Sequence, residues 1–258
     1  MKILKPVMFI FLLFQLALST LYGQVQTIKY DQITNFSGRP DTTTAMLTID
    51  LNKNVSLYEF GKVEKEETIS QHVQQDGSLS IRAGKRIDTI GSYVRTDLIT
   101  GHLELREKAV GNYFLVSDTI SVDWSDIMVD TVINGMDLKK TTCSFRGREY
   151  TVSFLPDDNL SAGPWKFRGL PGLIIEASDL NKEVTFKAQA INREPEIHEL
   201  AEPQKIAEIP YFSNYEDFRK ERNKLREQDV SSLKNRDGNG QNRRIVVSQV
   251  KVDYLEKD

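Results

Sequence analysis

The stretch "DIMVDTVINGMDLKKTTCSF", residues 126–145, decides the fold class. Two runs of alternating side chains flank Asn134-Gly135, a dipeptide in which both residues tolerate positive φ, and that is the requirement of a type I′ turn joining two antiparallel strands. The same grammar repeats on either side. "TTAMLTIDL" places Ala45, Leu47, Ile49 and Leu51 on one face, then turns at "NKN" into "VSLYEF". "SYVRTDL", a turn at "ITG", "HLELREKAV", a turn at "GN" and "YFLVSDTISVDW" follow. Beyond the opening stretch, "REYTVSF" aligns Tyr150, Val152 and Phe154, "GLIIEAS" is an apolar run, and "EVTFKAQAI" aligns Val184, Phe186 and Ala188. At the C-terminus "IVVSQVKVDYLEKD" puts Val246, Ser248, Val250 and Val252 together as a last strand. Roughly ten short strands in sequence predict a mainly β fold: an antiparallel meander forming an open barrel or a sandwich, and not a βαβ architecture.

Two segments depart from period two. "GKVEKEETISQHVQQDGSLSIRAGK", residues 61–85, is polar and offers few core side chains, so it reads as a mobile excursion more than as a strand pair. "SNYEDFRKERNKLREQD" opens with Ser213 and Glu216 in capping-box spacing and places Tyr215, Phe218, Arg222 and Leu225 on one helical face. This predicts one C-terminal amphipathic helix near residues 214–228, lying on the sheet or offered to a partner.

The N-terminus carries Lys2 and Lys5 ahead of the apolar run "PVMFIFLLFQLALST", the layout of a cleavable signal peptide over residues 1–23. The run is shorter than the roughly 18 to 20 residues that span a bilayer, so no transmembrane span is expected after cleavage. Residues 24–258 then form a single β-rich domain. Loss of the two leader lysines takes the formal charge from −3 to −5, which disfavours nucleic acid as a partner, since a phosphate backbone needs clustered cations. Cys143 is the one cysteine; no internal disulfide can form, and its parity with Phe145 reads as a small core residue.

Patterns that carry chemistry are sparse. His72, His102 and His198 lie far apart without metal-ligand spacing, and no cofactor motif is present. Asp123, Asp126 and Asp130, and Asp157 with Asp158, are carboxylate groups that converge on a site only if the fold brings them to one. "NRDGNG" has the alternate oxygen donors of a calcium loop at Asn235, Asp237 and Asn239, but Val246 stands where the bidentate Glu belongs. The sequence therefore assigns no catalytic residue, metal or cofactor.

"GPWKFRGLPGLIIEASD", residues 163–179, is the most distinctive string. Pro171 followed by Gly172 has the φ requirements of a type II turn, and Gly169 is a further bending point, so Gly169, Pro171 and Gly172 read as a structural turn between strands. Trp165 and Phe167 share one parity and Lys166 and Arg168 the other. Trp165, Lys166 and Arg168 are the candidate binding residues; as surface groups, Lys166 and Arg168 are expected to be replaceable by alanine with stability almost unchanged. The string, with Trp124 and "INGMDLKKTTCSFRGREY" before it, resembles the signature of the GLPGLI family of exported Bacteroidota proteins. The similarity is best over residues 124–190. Members often carry Cys where this chain has Leu138, and A-W-[YF]-T where it reads "TVSFL" at 151–155. The resemblance implies export and a β-rich fold and supplies no catalytic residue.

Three functions are consistent with these features. One is a noncatalytic exported protein, in the periplasm or cell envelope of a Gram-negative bacterium or secreted, holding an apolar or peptide ligand. The second is an assembly component that binds an envelope protein. The third is a hydrolase built on converging Asp and His side chains. A lined interior would favour the carrier, and a filled one the assembly component.

Overall fold

The computed structural model describes residues 25–36, 38–63, 70–73, 79–82, 88–126, 128–157, 160–196, 200 and 209–236. Its strands are β1 (Val25–Thr34), β2 (Asp41–Asp50), β3 (Val55–Phe60), β4 (Ser70–Val73), β5 (Leu79–Arg82), β6 (Ser92–Asp97), β7 (His102–Ala109) and β8 (Asn112–Thr119). They continue as β9 (Val129–Ile133), β10 (Met136–Phe145), β11 (Arg148–Pro156), β12 (Ser161–Ala162), β13 (Gly172–Asp179), β14 (Val184–Glu196) and β15 (Tyr211–Phe212), followed by helix α1 (Tyr215–Arg236). A single open sheet of 13 strands runs β15-β8-β7-β6-β3-β2-β1-β14-β13-β11-β10-β9, with β12 added in parallel on β13. It is two meanders, β1-β2-β3-β6-β7-β8 and β9-β10-β11-β13-β14, fused where β1 pairs antiparallel with β14.

Turn chemistry sets the hairpins. Asn134 and Gly135 have φ of 51° and 78°, the positive pair that the type I′ reading requires. Arg146 and Gly147, at 50° and 72°, repeat it between β10 and β11. The turn expected at "GN" is instead Val110-Gly111, with Val110 at φ 48°, an uncomfortable conformation for a β-branched residue. Between β2 and β3, the Asp50 carboxylate accepts the amides of Asn52 and Lys53. Between β6 and β7, Asp97 accepts those of Ile99 and Thr100. These side chains act as local turn formers.

Period two then builds one inner face. Leu47 stands opposite Tyr58, Tyr58 opposite Val94, and Val94 opposite Leu105, so alternate residues of neighbouring strands converge. Ile28, Tyr30, Ala45, Leu47, Ile49, Tyr58, Val94, Leu105, Val116, Val152, Phe154 and Phe186 are all buried there. The Tyr30 hydroxyl donates to the Ile174 carbonyl and Tyr58 to Gln32 Oε1 at 3.1 Å, so these buried hydroxyls stay satisfied.

The two ends of the sheet approach each other. Arg146, in the β10–β11 turn, pairs with Asp118 of β8, and Trp124 makes an isolated bridge to Cys143 of β10. The sheet is thus curled, and the segment between β12 and β13 lies on its concave side. Trp165 stacks on Phe186 of β14 with ring centroids 5.9 Å apart. Phe167 meets Tyr150 edge-on at 4.9 Å and also contacts Phe145, Trp124 and Phe186. Among the described residues, the concave face is filled by aromatic side chains.

Three local expectations are corrected. Residues 70–73 and 79–82 form an antiparallel two-stranded sheet, not an unpaired excursion. The base of this excursion is fixed by Asp88, which bridges Val63 through its backbone and accepts Tyr113 and Arg106 through its carboxylate. The helix is capped by Asn214, not Ser213: its Oδ1 accepts the Asp217 amide at 2.9 Å and its Nδ2 donates to the Asp217 carboxylate. The helix runs on to Arg236. Its predicted stripe holds, since Tyr215, Phe218 and Arg222 are buried and Leu225 packs against the core. Residues 1–24, the last expected strand from Ile245 and the calcium-like loop beyond Arg236 lie outside the described residues.

Candidate functional site

The three predicted binding residues sit in one short segment, with Trp165 and Lys166 inside the fold. Trp165 is 4% exposed and Lys166 1%. Trp165 takes φ 56°, and the Phe167 amide donates to the Pro164 carbonyl at 3.1 Å. The segment is therefore a compact turn, not the extended strand whose parity would turn Lys166 outward. The Lys166 ammonium lies 4.2 Å from the ring centroid of Tyr215 at the start of α1 and 5.3 Å from that of Trp165. Such contacts favour a cation held out of water. Arg222 donates to the same Tyr215 hydroxyl at 2.9 Å, and Arg146 lies over its ring.

Arg168 is partly exposed, and its guanidinium donates to Leu98 and Ile99 carbonyls at 2.6 and 3.1 Å and to Ile120 at 3.4 Å. Its own carbonyl accepts Trp124 Nε1 at 2.9 Å. One residue thus ties the β6–β7 turn, the exit of β8 and the aromatic interior. The expectation that Lys166 and Arg168 are dispensable surface groups is overturned by this burial and bonding. Lys166→Ala combined with Arg168→Ala is expected to cost about 2 kcal/mol, because the carbonyls that Arg168 serves lose a charged donor and the Tyr215 ring loses its buried cation. Urea denaturation checks this, and an unchanged midpoint would contradict it.

Gly169, Pro171 and Gly172 do form a turn, of a different kind. Gly169 has φ 95° and its amide donates to Ser161 Oγ at 2.9 Å. The Gly172 amide donates to the Leu170 carbonyl at 2.9 Å, closing a three-residue turn on Pro171. A type II turn would draw that bond from Leu173 and set Gly172 near +80°, whereas its φ is 154°. Gly172 is already the first residue of β13, paired with Pro156 and Ser161, and that pairing fixes its backbone.

Cys143 of β10 is buried, and Trp124 bridges it through the backbone. Burial, with the Glu149 charge as a smaller contribution, pushes its thiol up from 9.0 to about 12. An unfolded chain releases this proton near pH 9, while the folded chain retains it to about pH 12. Stability is therefore expected to fall as the pH rises from about 9 toward 12, with no contribution from this group below 9. Burial also raises Tyr30 and Tyr58, which act in the same direction above pH 10. Urea midpoints at pH 8 and pH 10.5 should differ less in Cys143→Ala than in the wild type; equal pH dependence in both would exclude the thiol as a contributor.

Two grooves lie on opposite faces of the second meander: Lys140, Thr151 and Ser153 of the first face outward, while Asp130 and Lys139 of the second share the inner face with Phe154. One, of about 320 Å³, is lined by residues that include Lys140, Thr151, Ser153, Glu176 and Ser178. The other, of about 580 Å³, runs along the end of the sheet between Asp130, Thr131, Val132, Asp137, Lys139 and Pro156. Asp123, Asp126, Asp157 and His102 line neither groove; His198 lies outside the described residues. No group of three metal-ligating side chains occurs among the described residues.

The second groove borders β9, the terminal strand. β9 pairs with β10 along one edge, and no described strand pairs with the other. Val129 is 56% and Val132 66% exposed. Val129 shares a face with Thr131 and Ile133, and Val132 shares the opposite face with Asp130, so the strand shows apolar surface on both sides. At the other end of the sheet, β15 and α1 pack on β8. Sequence reading missed β9 as a surface, although "VDTVI" carries the signal: valine and isoleucine at adjacent positions cannot both face one core.

No family model matches the chain, and no curated protein matches it. Among solved structures it is similar to PNGF-II in P21 crystals, with a TM-score of 0.51 and 12% identity over 79% of this chain and 34% of that one. PNGF-II in C2 crystals gives a TM-score of 0.46 and 12% identity over 74% and 31%. The chain spans about a third of the length of PNGF-II, and the first likeness is one of fold alone. No helix among the described residues is long and apolar enough to cross a membrane.

Proposed function

We propose that the chain is an exported, noncatalytic protein of the cell envelope that binds a protein partner by accepting one of its strands at the outer edge of β9. The exposed end strand is the observation that carries this reading. An edge strand presents a row of backbone donors and acceptors, and soluble proteins ordinarily blunt it with charge, bulges or a covering element. Here one aspartate stands in the strand beside two valines that are more than half exposed. Main-chain bonding to such an edge supplies affinity, while pockets beside it select side chains. The groove along Asp130, Val132, Asp137 and Lys139 supplies such a pocket.

Export is supported by the leader-like N-terminus and by the resemblance of the "GPWKFRGLPGLI" region to an exported family. An apolar ligand inside the sheet is the weaker reading, because Trp165, Phe167, Phe145 and Phe186 occupy the concave face. The test is crosslinking in intact cells with the wild type and with Val129→Lys combined with Val132→Lys. A partner crosslinked to the wild type should be lost in the variant while its thermal unfolding stays within about 1 kcal/mol of the wild type, since both side chains are exposed. Recovery of the same partner with the variant would overturn the assignment to β9.

A further inference from the structure

The geometry points to a second binding site, the groove of about 320 Å³ on the outward face of the sheet, and to a small acidic amino acid as its ligand. This site uses side chains on the sheet face and does not depend on the reading of β9 as a docking edge. The strand register builds it. Lys140 of β10 stands directly opposite Ser153 of β11, and Ser153 stands directly opposite Glu176 of β13. Directly opposed residues share a face, so a cation, a hydroxyl and a carboxylate form one row across three strands. Thr151 and Ser178 are opposed in the next row on that face, about 7 Å along the strands. Lys182 closes the far end of the groove from the β13–β14 turn, where its amide donates to the Asp179 carbonyl at 2.9 Å.

The state of the lining groups specifies the ligand. Ser153 is 4% exposed and lines the groove, and its hydroxyl has no hydrogen-bond partner among the described residues. Buried hydroxyls are ordinarily satisfied, so this one calls for a partner from outside the fold. Lys140 and Glu176 lie two strand spacings apart, about 10 Å, and form no ion pair with each other or with another described residue. Lys187, opposite Glu176 on β14, makes no ion pair with it and does not line the groove. The Asp179 carboxylate, by contrast, is engaged within the fold: it accepts Arg148 at 2.8 Å and the Val184 amide at 2.9 Å. The uncommitted charges in the groove are therefore two cations, Lys140 and Lys182, and one carboxylate, Glu176. Their complement is one ammonium and two carboxylates, the set that an acidic amino acid carries. Its ammonium faces Glu176, and its α-carboxylate faces Lys140 and accepts the Ser153 hydroxyl. Its side-chain carboxylate extends over Thr151 and Ser178 toward Lys182. Charge-assisted bonds of this kind are the strong ones. The volume stands at the lower end of the range for ligand clefts and suits a molecule of this size.

The test titrates the nitrogen-15-labelled full chain with L-glutamate, L-glutamine and glutarate and follows the amide NMR shifts. L-Glutamate should produce saturable shifts at Thr151, Ser153, Glu176 and Ser178. L-Glutamine lacks the second carboxylate and glutarate lacks the ammonium, so each should bind at least about tenfold more weakly. Glu176→Gln should bring L-glutamate down toward the affinity of glutarate, and Lys182→Gln should bring it down toward that of L-glutamine. Ser153→Ala should weaken all three ligands. The absence of a saturable shift with L-glutamate would overturn the inference. Equal binding of the three ligands would also overturn it, because the groove would then offer only a general attraction of lysines for carboxylates. Both of these outcomes are read on the wild type, so the test decides even where a variant fails to fold.

Discussion

Gly172→Ala is expected to destabilise the protein by about 4 kcal/mol and to lower its melting temperature by roughly 10 °C. Two costs combine. The residue sits at φ 154°, which L side chains rarely adopt. A Cβ there would overlap the Leu155 carbonyl oxygen and lie 2.9 Å from both the Leu155 carbonyl carbon and Phe154 Cδ2. The obstructing group is the backbone of the neighbouring strand β11, so relief requires β11 and β13 to separate. Gly135→Asn is the matched control: φ is 78°, nothing lies within 4 Å, and asparagine visits this region, so the cost should stay below about 1 kcal/mol. Thermal and urea melts of both proteins check the contrast. Equal effects would mean that the approach of Leu155 is not what demands glycine.

Phe167→Ala is expected to cost about 3–5 kcal/mol, the range for truncating a buried phenylalanine. Its ring lies 4.9 to 6.1 Å, centroid to centroid, from those of Tyr150, Phe145, Trp165, Phe186 and Trp124. These belong to β10, β11 and β14, to the segment after β8 and to the turn itself, so the void cannot close by moving one neighbour. Phe167→Leu should recover most of the loss, because apolar volume is largely kept. A near-ultraviolet circular dichroism spectrum should report the same order, with the alanine variant losing the most aromatic signal. If Phe167→Ala unfolds within 1 kcal/mol of the wild type, the aromatic interior is not what holds the curled sheet together.

The strands were legible because alternation and turn residues are local. Leu47, Ile49, Tyr150, Val152 and Phe186 reach the core on the parity that the sequence gives them. The "GPWKFRGLPGLI" segment was not, because alternation assumes extended backbone and Trp165 at φ 56° breaks it. A lysine is read as a surface residue by default, and nothing local announces the Tyr215 ring, 49 positions away, that receives Lys166. The Asn214 cap was hidden by an equally good candidate one residue earlier. The β9 edge escaped notice for a related reason: a strand pattern states which side chains share a face, and is silent on whether a neighbour will arrive to cover the edge.

The pairing of β1 with β14 also sets a schedule. β1 is the first described strand to be made, and the hydroxyl of its Tyr30 waits for a carbonyl 144 residues later. At 5–20 residues per second, that interval is roughly seven to thirty seconds on a ribosome, during which β1 has only β2 and its successors beside it. Contacts of such sequence separation make folding slow. They also leave the growing chain with a second open flank that the finished molecule no longer has. A holding chaperone that acts before Val184 appears would therefore have more to protect than one that meets the completed fold.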